Sequence, residues 1–409
     1  MAINCIGNFC AGAGPKLQPY YTDFYQILLS NLCGVDPDSL QTVSAPRLDF
    51  SDSAIRKIAS SALRALHFVV SQDKTLVTEP ICDIIQIVHS FIFMSVSVQA
   101  YNAADLKSPA DERTQRRSRL QPQQPPYLHY PWRRPPVPIS SDSEQSDTSD
   151  AFLGNPRRQR DDAKIRINAL LCLMSIAKTN PRTLYPQLSK FIPDTFALFY
   201  QNNSNKGQLS PVFKSDNQPM SLFTILCYDP APTVRMAACN SMTAILENAR
   251  TYFSVASESA NAKSSFTSLS ERTASILRDI HTAIMQVMTK EDNDAVLGHI
   301  MKVTCALVSS TPYSRLVSGY LSKLYVAVME QWQRAQPTTK EMILQVICAI
   351  LDTHNDQDAV QETFTKPVGD VPPLVDLLLI CQEHDAFEVR AMAWRALGAF
   401  AKARFTVIQ

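Results

Sequence analysis

Four places in the chain share one arrangement of residue types. An acid is followed three to five residues later by Val or Ile, at once by Arg, and then by Ala three residues past the Arg. They are Asp52…Ile55-Arg56…Ala59, Asp161…Ile165-Arg166…Ala169, Asp229…Val234-Arg235…Ala238 and Asp385…Val389-Arg390…Ala393. Ordinary residue usage gives on the order of 0.05 such matches in a chain of this length. The recurrence therefore marks a repeated unit, which narrows the fold more than any composition can. Degenerate copies begin near Asp292-Asn293-Asp294-Ala295-Val296 and Pro337-Thr338-Thr339-Lys340-Glu341.

The pattern has a physical reading. An acid just before a helix accepts hydrogen bonds from the unpaired N–H groups and meets the positive end of the helix dipole. The Val or Ile and the following Ala share one face, and the small Ala lets a neighbouring helix approach closely. The Arg lies one residue off that face, where it reaches an acid of an adjacent unit. Asp52, Arg56, Asp161, Arg166, Asp229, Arg235, Asp385 and Arg390 are thus expected to form a structural ladder, with no part in catalysis.

This signature resembles the HEAT repeat, a pair of antiparallel helices whose second helix opens with Asp…Val-Arg. The resemblance implies an all-α, HEAT/armadillo-like α-solenoid in which each unit contacts mainly its neighbours. The spacing of the copies is irregular, so intervening units have lost the signature or loops have stretched the period. The rest of the composition agrees. Only ten residues are Gly, far below the usual about 7%, which argues against Gly-rich phosphate loops, dinucleotide folds and turn-dense β architectures.

Three segments are expected. Residues 1–104 carry N-terminal helical repeats, with helices over Tyr20–Cys33, Ser53–Ser71 and Glu79–Tyr101. Residues 105–160 hold nine of the 26 prolines and few large apolar residues, and read as a long disordered insert. Its charge is sorted into blocks: six arginines without an acid from Arg113 to Pro138, then four acids without a base from Ser140 to Asp150. Ser141, three residues before Glu144, offers a phosphoacceptor in an acidic context. Residues 161–409 form a HEAT-like domain, with helices near 161–178, 182–200, 219–228, 232–250, 268–289, 293–310, 313–334, 338–353, 371–382 and 385–404. Pro193 implies that the second of these is broken or shorter.

A closer resemblance covers residues 140–330. Ser140-Ser141-Asp142-Ser143-Glu144 precedes an Ile-Arg helix. Phe191-Ile192-Pro193-Asp194, Pro219-Met220-Ser221-Leu222-Phe223-Thr224-Ile225-Leu226 and Asp229-Pro230…Val234-Arg235 follow. Ala244-Ile245-Leu246-Glu247, Phe253-Ser254-Val255-Ala256 and Ser309-Ser310-Thr311-Pro312-Tyr313-Ser314-Arg315-Leu316 complete the set. In order and wording these resemble the N-terminal region of the HEAT repeat-containing protein 6 family, including its domain of unknown function. The resemblance implies an armadillo-like helical scaffold with no assigned catalytic activity. Members of that family are considerably longer, and the Gln201–Asn217 insertion departs from them. The last helix opens with the full signature and only Phe405-Thr406-Val407-Ile408-Gln409 follows it, so the expectation is a chain that stops inside its solenoid with a self-associating end.

Signatures of chemistry are missing from the sequence. There is no Gly-x-Gly-x-x-Gly, no Gly-x4-Gly-Lys-[Ser/Thr], no Gly-x-Ser-x-Gly and no His-Glu-x-x-His. The seven histidines are dispersed, with His281, His299 and Cys305 the nearest approach to a metal set. The ten cysteines mostly sit in apolar runs and read as free thiols in a reducing compartment, Cys5 and Cys10 being a weak redox or metal pair. Ile81–Val98 is apolar for only about 15 residues, short of the about 20 a membrane span needs, and reads as a buried helix. Lys+Arg 39 against Asp+Glu 38 gives a net charge of +1 and no global pull toward nucleic acid.

The sequence therefore points to a non-enzymatic protein-interaction scaffold without cofactors or membrane attachment, cytoplasmic and/or nuclear, whose partners are other proteins. The alternative is a nucleic-acid-associated or nuclear transport factor. It rests on the arginine-rich linker, the basic-aromatic run Tyr127-Leu128-His129-Tyr130-Pro131-Trp132-Arg133-Arg134 with Arg113, Arg116, Arg117 and Arg119, and on the use of HEAT arrays as transport receptors, which the resemblance implies.

Overall fold

The structure is a computed structural model that describes residues 2–34, 48–73, 78–95, 156–192, 220–258, 268–316, 319–353 and 362–408. Met1–Val96 and Arg160–Gln409 form one unit; Ser97–Gln159 is a second, of which only the end is described. The described residues are helical without strands, apart from one bridge in which Val368 and Val371 exchange backbone hydrogen bonds of 3.0 Å.

The longer helices are α1 Ala2–Ala13, α2 Tyr21–Cys33, α3 Ser53–Gln72, α4 Thr78–Ile92, α5 Pro156–Thr179, α6 Leu222–Tyr228, α7 Pro232–Asn248, α8 Leu269–Lys290, α9 Asp294–Ser310, α10 Tyr320–Met329, α11 Pro337–Leu351, α12 Leu374–Cys381 and α13 Phe387–Ile408. Their starts follow the local chemistry. Asp52 accepts the Ala54 N–H at 2.8 Å before α3, and Asn293 accepts that of Val296 at 3.2 Å before α9. Ser268 and Glu271 close a reciprocal capping box on α8. Pro232 and Pro337 occupy first positions, where the missing N–H costs nothing.

Packing runs from neighbour to neighbour. α1 and α2 lie on α3, α7 on α9, α9 on α11, and α11 on α13. Side-chain bonds carry the sequence across the gap: Asn168 of α5 donates to Ser60 of α3 at 2.9 Å, and Ser241 of α7 donates to the Leu170 carbonyl of α5 at 2.8 Å. The row is therefore α1, α3, α5, α7, α9, α11, α13. A second row includes α2 on α4, α6 on α8 and α8 on α10. The apolar residues between the rows form a continuous core, in which Leu66, Leu170, Ile245, Leu307 and Ile347 are fully or almost fully buried.

Several boundaries differ from expectation. α1 was not anticipated; Gly7 lets it close on α3, where a Cβ would stand 3.0 Å from the Ala65 Cα. Of the helix expected over 182–200, the described part is a helical turn, Pro181–Leu184, and a 3-10 segment, Tyr185–Lys190, because Pro186 removes a donor; residues 193–200, with Pro193, lie outside the described residues. The one expected over 313–334 is a 3-10 turn, Tyr313–Arg315, and α10, separated at Gly319, whose φ of 97° other residues avoid. α4 ends at Ile92, with Ser95 at φ 60° just beyond. α5 begins at Pro156, so the helix enters the stretch assigned to the insert, 105–160; residues 105–155, with Ser141 and both charge blocks, lie outside the described residues. In the apolar stretch weighed as a membrane span, Ile81, Ile84, Ile85, Val88, Phe91 and Ile92 are all buried. Among the described residues no helix is long and apolar enough to cross a membrane.

Candidate functional site

The four signature arginines project from the starts of α3, α7 and α13 and from within α5. Three of them fold back on the loop before their own helix. Arg56 donates to the carbonyls of Phe50 and Ser51, Arg235 to that of Asp229 at 2.7 Å, and Arg390 to those of His384 and Asp385 at 2.7 and 2.8 Å. α5 runs on past Arg166 toward Pro156 and leaves no such loop. There the guanidinium reaches the Met94 carbonyl instead, at 3.4 Å.

The other edge of the guanidinium faces forward along the row. Arg166 grips Asp229 with both Nε and Nη2, at 2.8 and 3.3 Å, in a pair only 5% and 0% exposed. Arg235 grips Glu291 in the same two-point manner, at 2.9 Å twice. Arg56 stands 3.9 Å from Asp162 through Nε, which makes no hydrogen bond. Asp229 and Glu291 do double duty, each also accepting the backbone N–H two residues on, from Ala231 and Asn293, at 2.9 Å. Planar, two-point Arg–carboxylate bonding fixes orientation as well as distance.

The acids are not always those of the signature. Asp161 lies 3.6 Å from Lys164, while its neighbour Asp162 faces Arg56. Asp52 is spent as the α3 cap. Asp385 is exposed and contributes its carbonyl. Asp162 and Glu291 were missed; the signal for Glu291 was its place one residue before the degenerate copy at Asp292. In that copy Leu297 stands where the Arg would be, and the link is built differently: Asp294 accepts the Gln336 N–H and the Thr339 hydroxyl, both at 2.9 Å.

Elsewhere the reactive residue types serve packing. Buried His281 donates from Nδ1 to the Leu277 carbonyl at 2.7 Å, and its Nε2 accepts from the Tyr313 hydroxyl at 2.8 Å. Burial lowers its pKa to about 4 and keeps the ring neutral. His299 bonds Asn240, so it does not join His281 and Cys305 as a metal set. The cysteines are free thiols, and burial raises Cys227, Cys348 and Cys381 to about 11. Cys5 is exposed while Cys10 is buried. A cavity of about 400 Å³ opens beside the Arg235–Glu291 pair, lined also by Leu226, Val287 and Lys290; Lys290 lies 5.4 Å from the Tyr228 ring.

The stretch that holds these bonds is the one that matches a known family. Residues 164–360 match a domain of unknown function (DUF4042). Arg166, Asp229, Arg235, Glu291, Asp294 and Thr339 all fall inside the match, so both two-point pairs and the Asp294 link belong to the matched domain. A solved structure described as the crystal structure of an engineered protein is 11% identical over 98% of this chain and 94% of that chain, with a TM-score of 0.23, too low to inform the fold.

Proposed function

We propose that this chain is a non-enzymatic protein-interaction scaffold built as an α-solenoid of HEAT-like units. One observation carries the reading: Arg56, Arg166 and Arg235 each reach from one helix of the row to a carboxylate at the next, at 3.9, 2.8 and 2.9 Å. Such links hold successive units in one orientation and leave the outer helix faces for binding, as repeat arrays do. The engagement of His281 and the raised thiols support a packing role for groups that would otherwise invite catalysis. Free cysteines fit a reducing compartment, cytoplasmic and/or nuclear.

The test is affinity purification of the intact chain from its own cells, beside a form lacking 105–155. Capture of the same protein by both, stable to raised salt, is the expected result. Binding that needs the deleted segment and fades with salt, together with retardation of RNA or DNA, would replace the scaffold by the nucleic-acid reading.

A further inference from the structure

One edge of the row gathers cations and few anions. The segments that follow α5, α7 and α9 touch one another along it. The Tyr185 and Tyr252 rings stack at 4.8 Å and 22°, and the Tyr185 hydroxyl donates to the Asn248 carbonyl at 2.7 Å. Arg315 donates to the Ser254 carbonyl at 2.9 Å, and the Glu258 N–H to the Arg315 carbonyl at 3.0 Å. Along this line Lys178, Arg182, Lys190, Arg250 and Arg315 are exposed, and among the described residues none of them pairs with an acid. No acid occurs from Ala163 to Pro193. Of the nearby carboxylates, Glu258 is held by Arg278 at 2.5 Å, Glu271 closes the α8 capping box, and Glu247 is exposed. The dipole of α5 accounts for Lys178, in its last turn; the three arginines stand past the ends of three successive helices of the row. Val255 and Leu269, 42% and 61% exposed, adjoin the line where the Ser257 N–H donates to the Ser270 carbonyl at 3.3 Å.

We propose that this edge docks an acidic segment of a partner protein, its carboxylates meeting Arg182, Arg250 and Arg315 and an apolar residue among them covering Val255 and Leu269. The occupant is read from charge complementarity, and Arg and Tyr are the residue types that anchor such contacts. No further unit of the row stacks there. α5, α7 and α9 lie inside the row, with α3 bonded to α5 on one side and α11 packed on α9 on the other. A nucleic-acid strand fits less well. The stacked tyrosines turn one face each to the other, Glu247 would repel phosphates, and exposed Val and Leu offer them nothing.

The inference rests on the scaffold reading, and the experiment separates the two. A random peptide library displayed on phage is panned over the full chain and over the form lacking 105–155. Both should retain peptides rich in Asp and Glu with an apolar residue among them. Fluorescence anisotropy of a retained peptide should show binding weakened about tenfold or more by Arg182→Glu with Arg250→Glu, at unchanged thermal unfolding. Lys in place of the peptide's acids should restore it, and Arg182→Gln with Arg250→Gln should weaken the original peptide less. Peptides retained only by the shortened form would give the edge to the chain's own acids between Asp142 and Asp150 and overturn the partner. Peptides without acids, peptides indifferent to the paired substitutions, no retained peptide, or an oligothymidylate bound in preference to every peptide each overturn the docking edge. A protein captured from cells equally by the full chain and by its Arg182→Glu, Arg250→Glu form leaves the scaffold standing without this edge; capture of no protein by either overturns both.

Discussion

Arg166 and Asp229 have given up nearly all contact with water, so each depends on the other for its charge. Removing one partner leaves the other ionised and dry, at a cost of about 3–5 kcal/mol. Arg235 is 15% exposed and retains some solvent, so its loss should cost about 1–3 kcal/mol. Among the described residues Arg390 pairs with no acid, and its loss should stay within about 0.5–1 kcal/mol. Urea midpoints of the three Ala variants should therefore rank Arg166 worst and Arg390 mildest; equal losses would mean that the carboxylates contribute nothing. His281 supplies a pH signature. Its folded pKa of about 4 lies below the unfolded value of about 6.5. Above pH 6.5 the ring is neutral in both states and its contribution is complete. As pH falls toward 4 only the unfolded chain gains the proton, so stability drops by up to about 3 kcal/mol and then levels off. His281→Gln should flatten that slope; an unchanged slope would assign it to other groups. The arginines were legible in the sequence because Val-Arg…Ala recurs at fixed spacing. Their acids were less so. Asp162 and Asp161 are adjacent and chemically identical, and only the helix phase decides which faces Arg56. Glu291 belongs to a copy whose Arg had become Leu297.

Helices with caps or a strong apolar stripe were readable, and those built on close approach were not. α3, α8 and α9 start within a residue of expectation, and Asp52, Ser268 and Asn293 cap them. α1 has Gly7 and Gly12 in its interior, which local propensity penalises, yet Gly7 is what admits the Ala65 backbone. Two changes test these origins. Ser268→Ala should cost about 1 kcal/mol and raise amide exchange in the first turn of α8, leaving α9 alone. Gly7→Val should push α1 away from α3, so that amides of Ala2–Ala13 exchange faster while those of α7 keep their rates. If α1 stays protected, the short approach to Ala65 is not what seats it. Breaks inside expected helices trace to backbone chemistry that a stripe of apolar residues conceals: Pro186 in one case and Gly319 in the other.

Because each helix of the row packs on the next, strength is local and failure should be too. Arg166→Ala weakens one junction, between α5 and α7, without touching the core on either side. Chemical unfolding followed by hydrogen exchange should then separate into two steps, with α3 and α5 losing protection at a different denaturant concentration from α9 and α11. A single shared transition would mean that cooperativity spans the whole row. The links also have a direction. Arg56, Arg166 and Arg235 point forward, and Asp229 and Glu291 must accept a backbone N–H as well as the guanidinium. An arginine at 229 has no acceptor for Ala231, so exchanging the two charges does not restore the bond. A gene segment encoding one such unit, duplicated in place, would arrive with a cation for the unit ahead and a carboxylate for the one behind. Lengthening by tandem duplication thus needs no new invention at the seams, whereas inversion of a unit would leave two mismatched joints.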